Sequence, residues 1–300
     1  MLAEVTVLDG GLATELERAG HDLSDHLWSA RLLRDDPGAV RDAHLAFFRA
    51  GAQVATTASY QASFEGFAAA GIERSEAARL MGSSVRLARE AAEVVTGEHG
   101  SGVRRLVAAS VGPYGAVLAD GSEYSGDYGV PDAVLREMHG PRMAVLAESG
   151  ADLLAIETIP SEQEATVLLD LLVQMPADTR AWLSLTCQSG ARTRRGEDVE
   201  RVLGLARGVD SVVAVGVNCT APHHVSELVG RAVRAAGKPA IAYPNSGETW
   251  DGRARRWRGD GRGISVEDAR RWVDQGARWV GGCCRISSAD IAVLSAGLAG

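Results

Sequence analysis

The chain has a single lysine, few cysteines, no long apolar run and no excess of positive charge. Its one lysine, Lys238, precedes a predicted strand, so an aldolase that forms an imine on a lysine at a strand end is excluded. The 39 acidic and 31 basic residues give a formal net charge of −8. Nucleic acids and anionic membranes both favour a basic surface, so neither is expected as a partner.

No stretch of about eighteen apolar residues is present, and the N-terminus lacks the basic start and apolar run of a secretion signal. We therefore expect a soluble, cytoplasmic protein. With 46% hydrophobic residues, the chain can bury a core without disulfide bonds. In a reducing compartment its four cysteines are better explained as metal ligands, nucleophiles or core residues than as disulfides.

Eight short apolar runs alternate with longer amphipathic segments. The runs are 5–10, 53–59, 104–112, 151–159, 180–187, 212–219, 239–245 and 278–284. The helical pattern after the fourth run begins with Ser161 and Glu164 at capping-box spacing, and Ser265 and Asp268 have a similar spacing. Eight consecutive β-then-α units in 300 residues favour a single-domain α/β protein, a (β/α)8 TIM barrel over residues 1–300, above a doubly wound open sheet.

In such barrels the active site lies at the C-terminal ends of the strands. The residues predicted to lie there are Asp9 to Gly11, Thr57 to Tyr60, Gly112 to Tyr114, Glu157 and Thr158, Thr186 to Gln188, Asn218 and Cys219, Tyr243 to Asn245, and Cys283 and Cys284. Three cysteines therefore fall at the mouth of the barrel, on the sixth and eighth strands.

These three cysteines, Cys219, Cys283 and Cys284, have the composition of a zinc site. Strands separated by one neighbour lie about 10 Å apart, a gap that inward-pointing thiols can close around one ion. Three thiolates suit zinc and leave a fourth position open, which is typical of a catalytic site. Successive strand residues point to opposite faces, so we expect Gly281 and Gly282 to bend the chain and turn both thiols toward the metal.

Other interpretations remain open at this stage. The three cysteines could be ordinary core residues or a redox pair, and Cys187 is expected to lie in the core. His223 and His224 could ligate a hydrolytic zinc, although surface positions at a helix start explain them more simply. The arginine-rich stretch 251–263 could bind single-stranded nucleic acid, but on an acidic chain we interpret it as a solvated lid over the mouth. A zinc-binding barrel without catalysis is a further alternative.

Taken together, the motifs resemble the homocysteine S-methyltransferase family across essentially the whole chain. The resemblance is carried by LDGGLATELERAG (8–20), SVGPYGAVLADGSEYSGDYG (110–129), AIETIPSEQEA (155–165), GVNCTAP (216–222), YPNSGETWD (243–251) and GGCCR (281–285). The chain looks most like the stand-alone members that use S-methylmethionine or S-adenosylmethionine as methyl donor.

The resemblance implies a homocysteine-binding (β/α)8 barrel with one zinc ion per chain, held by Cys219, Cys283 and Cys284. Glu157 would hold the substrate's amino group, and Gly10 and Gly11 would allow close approach. The full set of expected substrate-binding residues is Asp9, Gly10, Gly11, Tyr60, Tyr114, Glu157 and Asn218.

The implied chemistry accounts for the thiolate ligands. A methyl sulfonium is already activated, whereas a free thiol, with a pKa of about 8.5, is mostly protonated at neutral pH. Zinc coordination would supply the substrate as a thiolate, and methyl transfer then needs no general base. Tyr60, Tyr114, Tyr124 and Asp127 are candidates for the pocket of the cationic donor. A different thiol or selenol acceptor is the alternative, and we expect a monomer or small homo-oligomer.

Overall fold

Eight parallel strands form a barrel in the computed structural model, which describes residues 5–23, 29–100, 102–118, 121–251 and 256–299. The ring closes where Leu8 pairs with Val54 and where the Gln53 amide donates to the carbonyl of Val7 at 2.7 Å. The predicted (β/α)8 TIM barrel is confirmed. Its strands are β1 (Thr6–Val7), β2 (Val54–Thr56), β3 (Leu106–Val111), β4 (Leu153–Ile159), β5 (Ala181–Leu185), β6 (Val212–Asn218), β7 (Ala240–Tyr243) and β10 (Ala277–Val280).

In the described part of the chain, each barrel strand is followed by at least one helix, as predicted. None of these helices is long and apolar enough to cross a bilayer. The helices are α1 (Leu12–Arg18), α2 (Ser29–Asp35), α3 (Pro37–Arg49), α4 (Phe64–Ala69), α5 (Arg74–His99), α6 (Tyr114–Leu118), α7 (Asp132–Glu148), α8 (Glu162–Val173), α9 (Val199–Gly204), α10 (Pro222–Ala236), α11 (Val266–Asp274) and α12 (Ser288–Leu298).

A short antiparallel hairpin between β7 and α11 was not predicted from the sequence. It consists of β8 (Thr249–Asp251) and β9 (Arg256–Arg258). This hairpin overlaps the arginine-rich stretch 251–263, and residues 252–255 of that stretch lie outside the described residues. The lid and nucleic-acid interpretations of the stretch therefore stay predictions.

Alternate residues of each strand point into the barrel, and this inner face becomes polar toward the mouth. An apolar inner cluster includes Val54, Ala108 and Ala155. Two residues further along the same strands, the inner face carries Thr56, Ser110 and Glu157. Strand alternation therefore delivers polar side chains to the mouth while the interior beneath them stays packed.

The predicted helix caps form, with one difference. Ser265 Oγ accepts from the Asp268 amide at 3.1 Å, and Ser161 Oγ accepts from the Glu164 amide at 3.3 Å. The Glu164 carboxylate does not complete the predicted capping box, because it accepts from the Tyr114 amide at 2.5 Å and is bonded to His139 instead.

Candidate active site

Three cysteine thiols meet at the C-terminal mouth of the barrel. Cys219 follows β6, Cys283 and Cys284 follow β10, and β7 lies between these two strands. Cys219 Sγ lies 3.1 Å from Cys283 Sγ and 3.5 Å from Cys284 Sγ, and the last two are 3.9 Å apart. In a tetrahedral site with Zn–S bonds of about 2.3 Å, two sulfurs lie about 3.8 Å apart. The three thiols could therefore hold one metal ion and leave a fourth position open.

The protonation chemistry of the thiols also fits a metal. Contact with the Cys219 thiol is the main cause that raises the pKa of the Cys283 thiol well above its usual value, and burial adds to it. Three thiols in mutual contact cannot all ionise unless a cation takes the place of their protons. Among the described residues, these three form the one cluster with metal-ligand spacing.

The backbone around the thiols adopts conformations that non-glycine residues rarely use. Cys219, directly after β6, has φ +46°, and Arg285, directly after Cys284, has φ +68°. Such residues persist where the surrounding structure holds them, and they concentrate at functional sites. Here they adjoin the three thiols directly.

The predicted role of Gly281 and Gly282 needs correction. Strand β10 ends at Val280, so Cys283 and Cys284 lie in a turn and the alternation of a strand does not apply to them. Neither glycine has a positive φ. A Cβ on Gly281 would lie 2.5 Å from the Cβ of Leu8, and one on Gly282 would lie 2.3 Å from a methyl carbon of Ile286. The two glycines permit close packing, and the left-handed residue of the turn is Arg285.

Gly10 and Gly11 permit a close approach within the protein itself. A Cβ on Gly10 would lie 2.4 Å from the carbonyl oxygen of Ile286, and one on Gly11 would lie 2.7 Å from that of Cys283. The Gly11 amide donates to the Ile286 carbonyl at 2.9 Å. The glycine pair after β1 thus lets the cysteine turn pack against it.

Asp9 is a buried acid two residues after the end of β1. Its two carboxylate oxygens accept from the Thr56 amide at 2.6 Å and from Thr56 Oγ1 at 3.0 Å. Burial, with a smaller contribution from the nearby charge of Glu157, raises the pKa of Asp9 to about 8. The Thr56 hydrogen bonds act in the opposite direction.

Glu157, on β4, is the second buried acid. Its carboxylate accepts hydrogen bonds from Ser110 and Tyr243, and the Trp182 indole N–H holds the Tyr243 oxygen at 2.9 Å. Burial raises the pKa of Glu157 to about 7, while the bonds from Ser110 and Tyr243 lower it. Two neighbouring buried acids favour a cationic ligand group, such as an ammonium.

A cavity of about 460 Å³ joins the thiols to both acids. Gly10, Gly11 and Tyr60 line it, as expected from the sequence. Among its described lining residues, the one basic side chain is His21, whereas five are acidic. The acids are Asp9, Glu17, Asp22, Glu123 and Glu157. The cavity is therefore suited to cationic small molecules.

A sequence profile of the homocysteine S-methyltransferase family matches residues 6–298. The chain belongs to the homocysteine S-methyltransferase family. The match spans nearly the whole chain. The resemblance inferred from the motifs is confirmed.

Relatives of this chain cover it almost completely. The homocysteine S-methyltransferase of Escherichia coli (strain K12) is 43% identical over 98% of this chain and 95% of its own. The selenocysteine methyltransferase of Astragalus bisulcatus is 41% identical over 93% of this chain and 88% of its own. The crystal structure of the homocysteine methyltransferase MmuM from Escherichia coli, in its metallated form, matches with a TM-score of 0.89 at 41% identity, covering 98% of this chain and 96% of that chain.

In this chain, Asn218 is fully buried and does not line the cavity. Its side chain donates to Thr158 Oγ1 at 2.7 Å and accepts from the Thr158 amide at 2.8 Å and from Ser184 Oγ at 2.7 Å. Its amide nitrogen is 3.9 Å from Cys283 Sγ. Asn218 thereby fixes Thr158, which has φ +60° and follows the acid Glu157.

Two predicted donor-pocket residues, Tyr114 and Asp127, also lie away from the cavity. Tyr114 packs edge-on against Tyr128, with ring centroids 5.3 Å apart, and does not line the cavity. The carboxylate of Asp127 is exposed and pairs with Arg195 at 3.0 Å. The side chain of Tyr124 lies outside the described residues.

The remaining candidates behave as ordinary structural residues. Cys187 is buried in the core, as predicted. His223 and His224 lie at the start of α10 with ring centroids 3.9 Å apart. Neither histidine belongs to a metal-ligand cluster among the described residues.

Some cavity residues were given no role from the sequence. Thr56, Ser110 and Tyr243 contact the two buried acids, and Glu123 is 8% exposed at the cavity wall. A polar residue ending an apolar strand signals the first three. Nothing in the local pattern around Glu123 distinguishes it from a surface acid.

Proposed function

We propose that this protein transfers a methyl group from a sulfonium donor, S-methylmethionine or S-adenosylmethionine, to the sulfur of L-homocysteine, with one zinc ion per chain. The observation that carries the proposal is the convergence of three thiols and two buried acids on one acidic cavity in a member of this family. The proposal treats residues 1–300 as one homocysteine-binding domain.

The metal site is proposed from its ligand chemistry. Zinc would be held by Cys219, Cys283 and Cys284. As a Lewis acid, it would keep the substrate thiol deprotonated near pH 7. The three cysteines leave one position open, in which the homocysteine sulfur would sit. A site that depends on free thiols also supports the expected cytoplasmic location, since reducing compartments preserve them.

Glu157 and Asp9 are proposed to bind the homocysteine ammonium group. Both acids are buried in a cavity wall next to the thiols, and an ammonium would remove the cost of their ionisation. Ser110 and Tyr243 would orient Glu157 through the hydrogen bonds described above. The substrate would thus be held at both ends, by sulfur and by nitrogen.

The donor is proposed to enter from the side of the cavity that Tyr60, Gln61 and Glu123 form, here called the donor-side wall. An aromatic face and a carboxylate both stabilise a positive sulfur. The homocysteine sulfur forms a bond to the methyl carbon as the donor C–S bond breaks, and the donor leaves as a neutral thioether. Holding the reacting atoms about 3–3.5 Å apart and in line supplies much of the rate enhancement.

The test measures zinc content and methionine formation together, with homocysteine and each donor. The variants Cys219→Ala and Cys284→Ala should lose zinc and turnover together, whereas Cys187→Ala, which removes a buried thiol outside the cluster, should keep both. A metal-free parent that turns over would overturn the zinc mechanism. A zinc-loaded parent inactive with both donors would overturn the activity and leave a non-catalytic zinc barrel.

A selenol acceptor is a second candidate, favoured by the 41% identity to a relative that is named a selenocysteine methyltransferase. Competition between homocysteine and selenocysteine for one donor measures the preference. A higher kcat/KM for selenocysteine would reassign the acceptor without changing the site.

A further inference from the structure

A buried chain of three polar side chains lies outside the cavity, between α7 and α8. Arg142, His139 and Glu164 each have 0% exposure. Arg142 Nη2 lies 3.2 Å from His139 Nδ1, and His139 Nε2 lies 2.8 Å from Glu164 Oε1. The proposed methyl transfer uses none of these groups.

The protonation of this chain follows from its burial. Burial, together with a smaller contribution from the Arg142 charge, lowers the pKa of His139 to about 4. A neutral His139 can accept from the Arg142 guanidinium at Nδ1 and donate to the Glu164 carboxylate at Nε2. The result is a positive and a negative group joined through a neutral ring. Such buried pairs contribute little net stability compared with apolar packing, so another role for them is worth testing.

Arg142 connects the loops that follow two neighbouring strands, β2 and β3. Its guanidinium donates to the carbonyl of Gly112 and, at 3.4 Å, to the carbonyl of Ala62. Ala62 follows the wall residues Tyr60 and Gln61 directly. A Cβ on Gly112 would lie 2.6 Å from the Tyr60 ring, which shows how closely the two loops pack.

Glu164 holds the second of these loops at two further points. Its carboxylate accepts from the Tyr114 amide at 2.5 Å and from the Tyr128 hydroxyl at 3.1 Å. Within the same loop, a Cβ on Gly115 would lie 2.3 Å from the backbone nitrogen of Glu123. The position of Glu123 at the cavity therefore depends on the loop that Glu164 fixes.

We propose that Arg142, His139 and Glu164 are positioning residues that hold the donor-side wall in the geometry for the methyl donor. The inference rests on the proposed function, because it assigns the donor to this wall. The cysteine turn and the acids Asp9 and Glu157 make no described hydrogen bond to the three positioning residues. Homocysteine and zinc binding should therefore not depend on those residues.

The test uses the double variant Arg142→Met with Glu164→Gln, which removes both buried charges together and leaves neither unpaired. We expect the donor KM to rise about tenfold or more, since small misplacements of binding groups are costly. The homocysteine KM and the zinc content should stay within about twofold of the parent. Arg142→Lys, which keeps the charge, should give an intermediate donor KM.

Arg89→Met is the matched control, because Arg89 pairs with Asp152 at 2.6 Å before β4, at the opposite end of the barrel. It should lower the melting temperature without changing either KM. Folded double variants with a parental donor KM would overturn the proposal, and so would equal rises in both KM values or loss of zinc.

Calorimetric binding of S-methylmethionine separates this proposal from the proposed function. A parent that binds the sulfonium but forms no methionine would refute the activity, and weaker binding by the double variant would still support the positioning role. A parent that neither binds the sulfonium nor turns over would overturn both.

Discussion

At the residue scale, the site depends on acidic side chains that are buried away from water. Asp9 and Glu157 are 2% and 6% exposed, and their hydrogen bonds do not offset the cost of burial, because the pKa of each remains raised. Such groups reduce stability in the free protein and become favourable when a cation binds. The two acids are therefore a place where function and stability oppose each other.

Replacing Asp9 by Asn should stabilise the protein more as the pH rises. The pKa of Asp9 is about 8 in the fold and 3.8 in the unfolded chain, so the fold binds one more proton between these pH values. The parent then loses stability as the pH rises toward 8, by at most about 1.4 kcal/mol per pH unit. Asn can still bond Thr56 and carries no such penalty.

Melting temperatures from pH 5 to pH 8.5 check this, with a chelator present so that zinc binding adds no pH dependence of its own. Asp35→Asn is the control. The Arg34 hydrogen bond lowers the pKa of this exposed acid, so removing the Asp35 charge should not stabilise the protein. An Asp9→Asn advantage that shrinks with rising pH would contradict the prediction.

At the scale of elements, the turn after β10 decides the geometry of the thiols. It supplies two of the three cysteines and packs against Gly10 and Gly11 on one side. On the other side it leads into α12, which starts with a capping box formed by Ser287 and Asp290. The turn is therefore fixed at both ends by its neighbours.

Gly281→Ala should destabilise the fold and reduce zinc content. The added Cβ would lie 2.8 Å from the carbonyl oxygen of Asp9 and 2.5 Å from the Cβ of Leu8. Both residues follow β1 directly and are held by backbone hydrogen bonds to the neighbouring strands. Overpacking of this kind costs about 1–3 kcal/mol. The measurement is denaturant unfolding together with the zinc-to-protein ratio.

Gly97→Ala provides the comparison, because Gly97 lies in helix α5 with open space around it. Alanine there should stabilise by up to about 1 kcal/mol. Equal effects of the two substitutions would show that the cysteine turn tolerates a side chain, contrary to the packing described.

At the scale of the whole molecule, barrel closure brings the site together from distant parts of the chain. Cys219 and Cys283 are 64 positions apart, and Asp9 follows the first strand, which pairs with the last. A ligand that bridges such segments binds the folded state and not the unfolded chain. Metal binding should therefore stabilise the entire barrel.

Chelation of zinc should lower the melting temperature of the parent. Zinc at 100 times its Kd contributes about 2.7 kcal/mol, which corresponds to roughly 4 °C for a domain of this size. Cys219→Ser, which removes a ligand, should melt at the same temperature with and without chelator. A chelator shift of equal size in this variant would assign the stabilising metal to another site.

The sequence by itself determined the barrel architecture and the family of this protein, and it indicated which residues meet at the candidate site. Eight strand-and-helix units specify a barrel because each pattern is local and repeated, and the strand ends then identify the cysteines and acids as neighbours. Family motifs such as GGCCR are contiguous, so they too are visible without a structure. These predictions depend only on chain order and on the geometry that all such barrels share.

Only the tertiary structure decided how the neighbours are arranged. It placed Asn218 and Tyr114 outside the cavity lining, and it showed that Gly281 and Gly282 serve packing and not a left-handed bend. It also joined Arg142 to Glu164 through His139. The contacts of Asn218 with Thr158, of Gly281 with Leu8 and of His139 with Glu164 link segments that are distant in sequence. Their partners are set by how strands, helices and loops pack around the barrel, which no local pattern encodes.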